Sequence, residues 1–298
     1  MAAMGRVTVL DGGMGRELQR VGAPFRQPEW SALAMIESPE LVGAVHESYV
    51  AAGADVITTN AYALVPYHLG EERFKADGAR LAALAGSVAR QVADRSPGVR
   101  VAGCLPPVLG SYQPELFVRE EARPILDVLV LEQAPFVDLW LAETQSSIAE
   151  VGFVRDVLDA HLQTAPLWVS FTLHDELVED DGPRLRSGES IVDAIHAAEH
   201  LGAELVAFNC SQPEVMEPAV ALAAGATELP IGVYANAFVL HSGGSANEGL
   251  SDLRADVTPE SYLAWARRWI DAGAAMVGGC CGVGPEHVSA LSAHLSAS

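Results

Sequence analysis

The stretch "TPESYLAWARRWIDAGAAMVGGCCG", residues 258–282, decides the fold. Thr258 is a natural N-cap, Pro259 suits the first helical position, and Glu260 favours the positive end of the helix dipole. An amphipathic run follows, and "AGA" at 272–274 supplies a glycine stop. The chain then enters "AAMVGGCC" (274–281), a continuous apolar run with no alternation. Parallel strands covered on both faces read this way. One helix leading directly into one buried strand is half of a β/α repeat.

The same grammar recurs. In "SPELVGAVHESYVAAGADVITTNAY" (38–62), Ser38 and Pro39 open a helix, "AGA" closes it, and a strand candidate follows at 54–62. Six further apolar runs, at 7–13, 99–105, 137–144, 166–173, 204–210 and 230–238, alternate with amphipathic segments. Eight such alternations within 298 residues predict a closed (β/α)₈ TIM-type barrel, with a doubly wound open sheet as the alternative. No linker, low-complexity tract or composition shift divides the chain, so residues 1–298 read as one domain.

Composition narrows the function. Half the residues are hydrophobic and 19% are charged, as in a globular protein. The formal charge is −21 and Lys75 is the only lysine, so the clustered cations that bind nucleic acid are missing. No apolar run approaches the roughly 20 residues needed to span a bilayer, and "MAAMGRVTVL" lacks the charged and apolar regions of a signal peptide. The expectation is a soluble, cytoplasmic protein acting on small molecules. In that reducing setting its four cysteines are metal ligands, nucleophiles or small buried hydrophobes rather than disulfides.

A barrel places its active site at the C-terminal ends of its strands. The otherwise apolar runs end there in Asp11, Thr59 and Asn60, Cys104, Glu143, Thr172, Asn209 and Cys210, Asn236, and the Cys280–Cys281 pair. Cys210 closes the sixth run and the pair closes the eighth, so a barrel sets them on one rim. Three converging thiolates suit zinc, which is tetrahedral and binds sulfur well, and they leave a fourth position open. Simple core filling and a redox pair are the alternatives, although adjacent cysteines lack the Cys-x-x-Cys geometry.

Taken together, "VLDGGMGREL" (9–18), "PEWSALAMIESPELVGAVHESYVAAGADVITTNAY" (28–62), "ET" (143–144), "NC" (209–210) and "GGCCG" (278–282) resemble the homocysteine S-methyltransferase family. The resemblance runs in order from about residue 7 to about residue 290. It implies a barrel whose zinc is held by Cys210, Cys280 and Cys281, and methyl transfer from a sulfonium donor to homocysteine, giving methionine. It further implies that Asp11 and Glu143 hold the substrate ammonium. Backbone around Gly12 and Gly13 would meet the substrate carboxylate, with Thr59 and Asn60 as weaker candidates for that end. Trp30 would lie beside the reacting methyl group, and Asn236 could fill zinc's fourth position before substrate arrives.

Three cysteinates and a bound homocysteine thiolate would give the zinc centre a charge of −2, favouring attack on a cationic methyl donor. The short chain resembles the compact members that use S-methylmethionine or S-adenosylmethionine rather than methylfolate. Departures from the pattern are Cys104, where the family usually has serine, and "YANAF" (234–238) in place of a Pro-Asn motif. Cys104 makes a closed four-cysteine site conceivable. Other acceptors (selenohomocysteine, selenocysteine), a metal-dependent hydrolase or lyase, and a non-catalytic zinc-stabilised barrel are the competing functions.

Overall fold

Each of the eight apolar runs forms one strand. These are β1 (Thr8–Val9), β2 (Val56–Thr58), β3 (Arg100–Leu105), β4 (Leu139–Gln145), β5 (Leu167–Phe171), β6 (Leu205–Asn209), β7 (Ile231–Tyr234) and β8 (Ala274–Val277). The computed structural model describes residues 6–175, 182–239 and 252–297; residues 1–5, part of the stretch read for a leader, lie outside them. All strand pairs are parallel, running from β2 in sequence order to β8, and β8 then pairs with β1. Between β1 and β2 a single bridge, Leu10 to Val56, closes the ring. Two hydrogen bonds reinforce it: Asp55 N–H to Val9 C=O at 2.7 Å and Asp11 N–H to Val56 C=O at 3.0 Å. The closed barrel therefore holds, and the open sheet does not.

Most strands stop short of the apolar run that announced them. The last residues of these runs leave the ladder and become the rim of the barrel. Helices α1 (Met14–Arg20), α2 (Ala32–Glu37) and α3 (Pro39–Ala51) follow β1, and α4 (Pro66–Leu69) and α5 (Glu71–Asp94) follow β2. One helix follows each later strand: α6 (Arg119–Gln133), α7 (Ile148–Ala160), α8 (Ile191–His200), α9 (Pro213–Ala224), α10 (Pro259–Asp271) and α11 (Pro285–Ser296). Among the described residues no helix is long and apolar enough to cross a membrane.

The helix starts hold with one correction. Thr258 caps α10 as read, its hydroxyl accepting from Ser261 N–H while Ser261 Oγ accepts from Thr258 N–H at 2.8 Å. Ser38 makes no side-chain cap, because it also terminates α2, its N–H bonded to Ala34 C=O at 2.8 Å. Only Pro39 marks that start. At the end of α10, Gly273 takes φ +123, a conformation that a Cβ disfavours, and turns the chain into β8.

Two cores result. Leu10, Val56, Ala102, Leu141, Trp168 and Met276 are among the side chains filling the lumen, with Cys280 packed against them. The larger core lies between the strands and the helices. From that shell Tyr262 of α10, fully buried, reaches the rim: its hydroxyl donates to Gly278 C=O at 2.7 Å and lies 3.2 Å from Ala235 C=O. Tyr262→Phe strands a buried carbonyl just before the cysteine pair, at an expected cost of about 1–3 kcal/mol. The urea midpoint should fall with an unchanged m-value; an unaltered midpoint would show that the hydroxyl carries no stability.

Candidate metal and substrate site

The sulfurs of Cys210, Cys280 and Cys281 all lie within 4.8 Å of one another, and none is in a disulfide. Strand β7 sets their spacing. Cys210 N–H donates to Tyr234 C=O at 3.2 Å and Cys280 N–H donates to Ala235 C=O at 3.0 Å, so the two cysteine segments flank the end of β7. The turn carrying the pair rests on the loop after β1. Gly13 N–H donates to Val283 C=O at 2.9 Å, and a Cβ on Gly13 would stand 2.5 Å from Cys280 O. Only glycine permits that approach.

Each side of the sulfur cluster has a polar neighbour. Tyr112 donates its hydroxyl to Cys210 Sγ at 3.0 Å. Asn209 places its Nδ2 4.0 Å from Cys280 Sγ. The same carboxamide accepts from Thr144 N–H and Ser170 Oγ–H and donates to Thr144 Oγ1, tying together the ends of β4, β5 and β6. Within the cluster, hydrogen bonding by Cys210 and Cys280 holds the Cys281 thiol well below the usual range, while Cys210 and Cys281 hold Cys280 well above it. One thiolate is thus favoured before any cation arrives, and three soft sulfurs with a shared negative charge fit a zinc-like ion.

Two carboxylates complete the site. Asp11, 5% exposed, accepts from Thr58 N–H at 2.7 Å and from Thr58 Oγ1 at 3.2 Å. Burial, reinforced by the charge of Glu143, pushes Asp11 up to about 8. Glu143 on β4 accepts from the Cys104 thiol at 2.9 Å, and burial raises it to about 7. Two mutually repelling, desolvated carboxyl groups next to the thiols make a receptor for a cation with several N–H donors.

Residues 8–295 match the family described as homocysteine S-methyltransferase. The chain belongs to this family. It is 28% identical to homocysteine S-methyltransferase 1 of Arabidopsis thaliana over 98% of this chain and 94% of that protein. To the selenocysteine methyltransferase of Astragalus bisulcatus it is 27% identical, over 96% and 92% of the two chains. Among solved structures it superposes on the metallated form of the Escherichia coli homocysteine methyltransferase MmuM with a TM-score of 0.79. That pair shares 25% identity, with 97% and 96% of the chains covered.

Against this family, the remaining expected residues fall into two groups. The three cysteine sulfurs group together, and Glu143 lies within electrostatic reach of both Asp11 and Cys210. Thr59 turns away from the thiols: its hydroxyl donates to Gln133 of α6 at 2.5 Å and accepts from Cys104 N–H at 2.9 Å, so it braces β2 and β3 from the helix side. Asn60 donates to Ser31 C=O at 3.1 Å, securing the turn that carries Trp30. The Asn236 carboxamide oxygen accepts from Gln212 Nε2 and Phe238 N–H, both at 3.2 Å, and so is used in building the loop after β7. Gly12 packs against Val283 O and the Tyr49 ring, and Gly13 has already given its N–H to Val283. Both glycines thus serve the packing of the cysteine turn.

Cys104 is buried and pairs with Glu143, and it is not one of the three grouped sulfurs. Sequence reading gave Tyr112 no role and had Thr144 only as the second residue of the "ET" motif. Backbone strain singles them out: among the described residues five non-glycine residues have positive φ, and Trp30, Tyr112, Thr144 and Cys210 are four of them. Such strain persists where surrounding contacts over-determine a functional site.

Proposed function

We propose that this chain methylates the thiol of homocysteine, giving methionine, with a sulfonium as methyl donor: S-methylmethionine ahead of S-adenosylmethionine. Three free thiols converging beside two desolvated carboxyl groups carry this reading. Cys210, Cys280 and Cys281 would hold zinc, which supplies a Lewis acid that lowers the substrate thiol's pKa while leaving its sulfur nucleophilic. Asp11 and Glu143 grip the substrate ammonium and orient the sulfur towards the cysteines. As the new carbon–sulfur bond forms, the donor's breaks; the donor leaves as a neutral thioether and the thiol proton passes to solvent. A neutral thioether needs no protonation to depart, so no general acid is assigned. Action as one barrel domain over residues 1–298 belongs to the same proposal, as does residence in the cytosol, where free thiols stay reduced.

Selenol acceptors are a second reading, favoured by the similarity to the Astragalus bisulcatus selenocysteine methyltransferase. A panel of donors and acceptors on zinc-loaded protein tests both. Methylation of homocysteine by a sulfonium, with none from methylfolate, supports the first; a selenol preferred over homocysteine replaces it with the second. Metal without any methyl transfer would leave the non-catalytic barrel, and hydrolysis or elimination would favour the other enzyme class.

Trp30 bears on the donor. Its half-buried ring meets Phe25 and His68 edge-on, with centroids at 5.9 and 6.2 Å. An aromatic face near a sulfonium contributes about 0.5–2 kcal/mol, roughly 2- to 30-fold in rate. Trp30→Leu should lower kcat/KM for the donor by that factor and leave the homocysteine KM and the metal content unchanged. Equal losses for both substrates with a lower melting temperature would make the ring a packing element instead.

A further inference from the structure

Arg186, in the loop between β5 and α8, is used by no step described so far. Its guanidinium lies over the Tyr112 ring, 5.2 Å from the centroid, and Tyr112 in turn donates to Cys210 Sγ. One Arg186 nitrogen, Nη2, donates to Asp175 Oδ2 at 2.5 Å. Asp175 Oδ1 accepts from Gln212 N–H at 2.9 Å, two residues beyond Cys210. The cation is therefore fastened on one side to the segment bearing a candidate metal ligand and on the other to a tyrosine touching that ligand. Its Nε–H is buried and has no hydrogen-bond acceptor among the described residues. That nitrogen is covered by protein, whereas the side chain as a whole is one-fifth exposed with only its Nη2 given to Asp175, so the outer end of the guanidinium keeps donors for a ligand, and a carboxylate is the group its fork fits best.

We propose that Arg186 recognises the carboxylate of an amino-acid methyl donor. This inference rests on the sulfonium-donor reading. Both reactants in that reading are amino acids, so each needs its own polar anchor. The ammonium receptor, Asp11 and Glu143, sits at the strand ends of β1 and β4, so homocysteine occupies the lumen side of the thiols. Arg186 stands on the loop after β5, its side chain 20% exposed, and so can be met by a molecule arriving from solvent. In-line displacement requires the donor to approach from a side that the acceptor does not occupy. Tyr112 is then the plate that keeps the guanidinium flat and beside the cluster.

The test compares S-methylmethionine with two sulfoniums that lack a carboxylate, its methyl ester and trimethylsulfonium. The unmodified zinc-loaded protein should favour S-methylmethionine over the ester by at least about tenfold in kcat/KM, as one charge-assisted pair implies. Arg186→Met should raise the S-methylmethionine KM by a similar factor. In that variant trimethylsulfonium turnover, homocysteine KM and zinc content should stay within about twofold. Equal use of acid and ester by the unmodified protein overturns the proposal, even if the variant loses its metal. A rise in homocysteine KM alone overturns it too, by assigning Arg186 to the acceptor. No turnover with any sulfonium sinks the donor reading itself, and this inference with it.

Discussion

Cys210→Ala, Cys280→Ala and Cys281→Ala will each lose most of the bound metal and at least about 1,000-fold of methyl-transfer activity. A catalytic zinc contributes several kcal/mol to its reaction, and two sulfurs cannot hold it as three do. The barrel should survive each change, because the three sulfurs lie at the rim and only Cys280 packs against the lumen cluster, whose other side chains and the helix shell stay in place. Circular dichroism and gel filtration will therefore match the parent protein while zinc content, measured per chain, falls. Cys104→Ser is the internal control. Its thiol serves Glu143, and it should keep both metal and turnover. Loss of metal in Cys104→Ser equal to that in the other three would replace the open site with a four-sulfur one.

Glu143→Gln and Asp11→Asn should each raise the homocysteine KM about 10- to 150-fold, or lower kcat/KM by that factor, with the metal retained. The magnitude is that of one charged hydrogen bond, about 1.5–3 kcal/mol. Its pH dependence has a definite sign. Burial raises Asp11 to about 8 and Glu143 to about 7, so in the ligand-free protein near neutrality Asp11 is mostly protonated and Glu143 about half so. An ammonium between them favours the ionised forms, so binding releases protons. Homocysteine affinity must then weaken as the pH falls from 8 towards 6, and Asp11→Asn must flatten that profile. Unchanged kinetics in both variants would place the amino group elsewhere.

The periodicity that predicts eight strands rests on local chemistry: apolar runs, a proline at a helix start, a glycine at its end. These signals act over a few residues and survive folding. The grouping of Cys210 with Cys280 and Cys281 follows from topology once a barrel is assumed, since the ends of strands six and eight flank the seventh. What stayed hidden depends on where a side chain turns once its strand has ended. Thr59 faces α6, and Asn236 spends its oxygen on Gln212 and Phe238. Gly13 looked like an anion-binding turn but yields its N–H to Val283, 270 residues away in sequence. Tyr112 reaches Cys210 from a loop with no periodic signal, through a backbone conformation that tyrosine seldom adopts.

The most direct test is to incubate zinc-loaded protein with homocysteine and S-methylmethionine carrying two labelled methyl groups. If the thiols and carboxylates work as argued, each turnover consumes one of each substrate and yields two methionines, each with one labelled methyl. The reaction stops in Cys281→Ala. Labelled methyl retained on the donor, with homocysteine recovered unchanged from protein that carries one zinc per chain, would contradict the account.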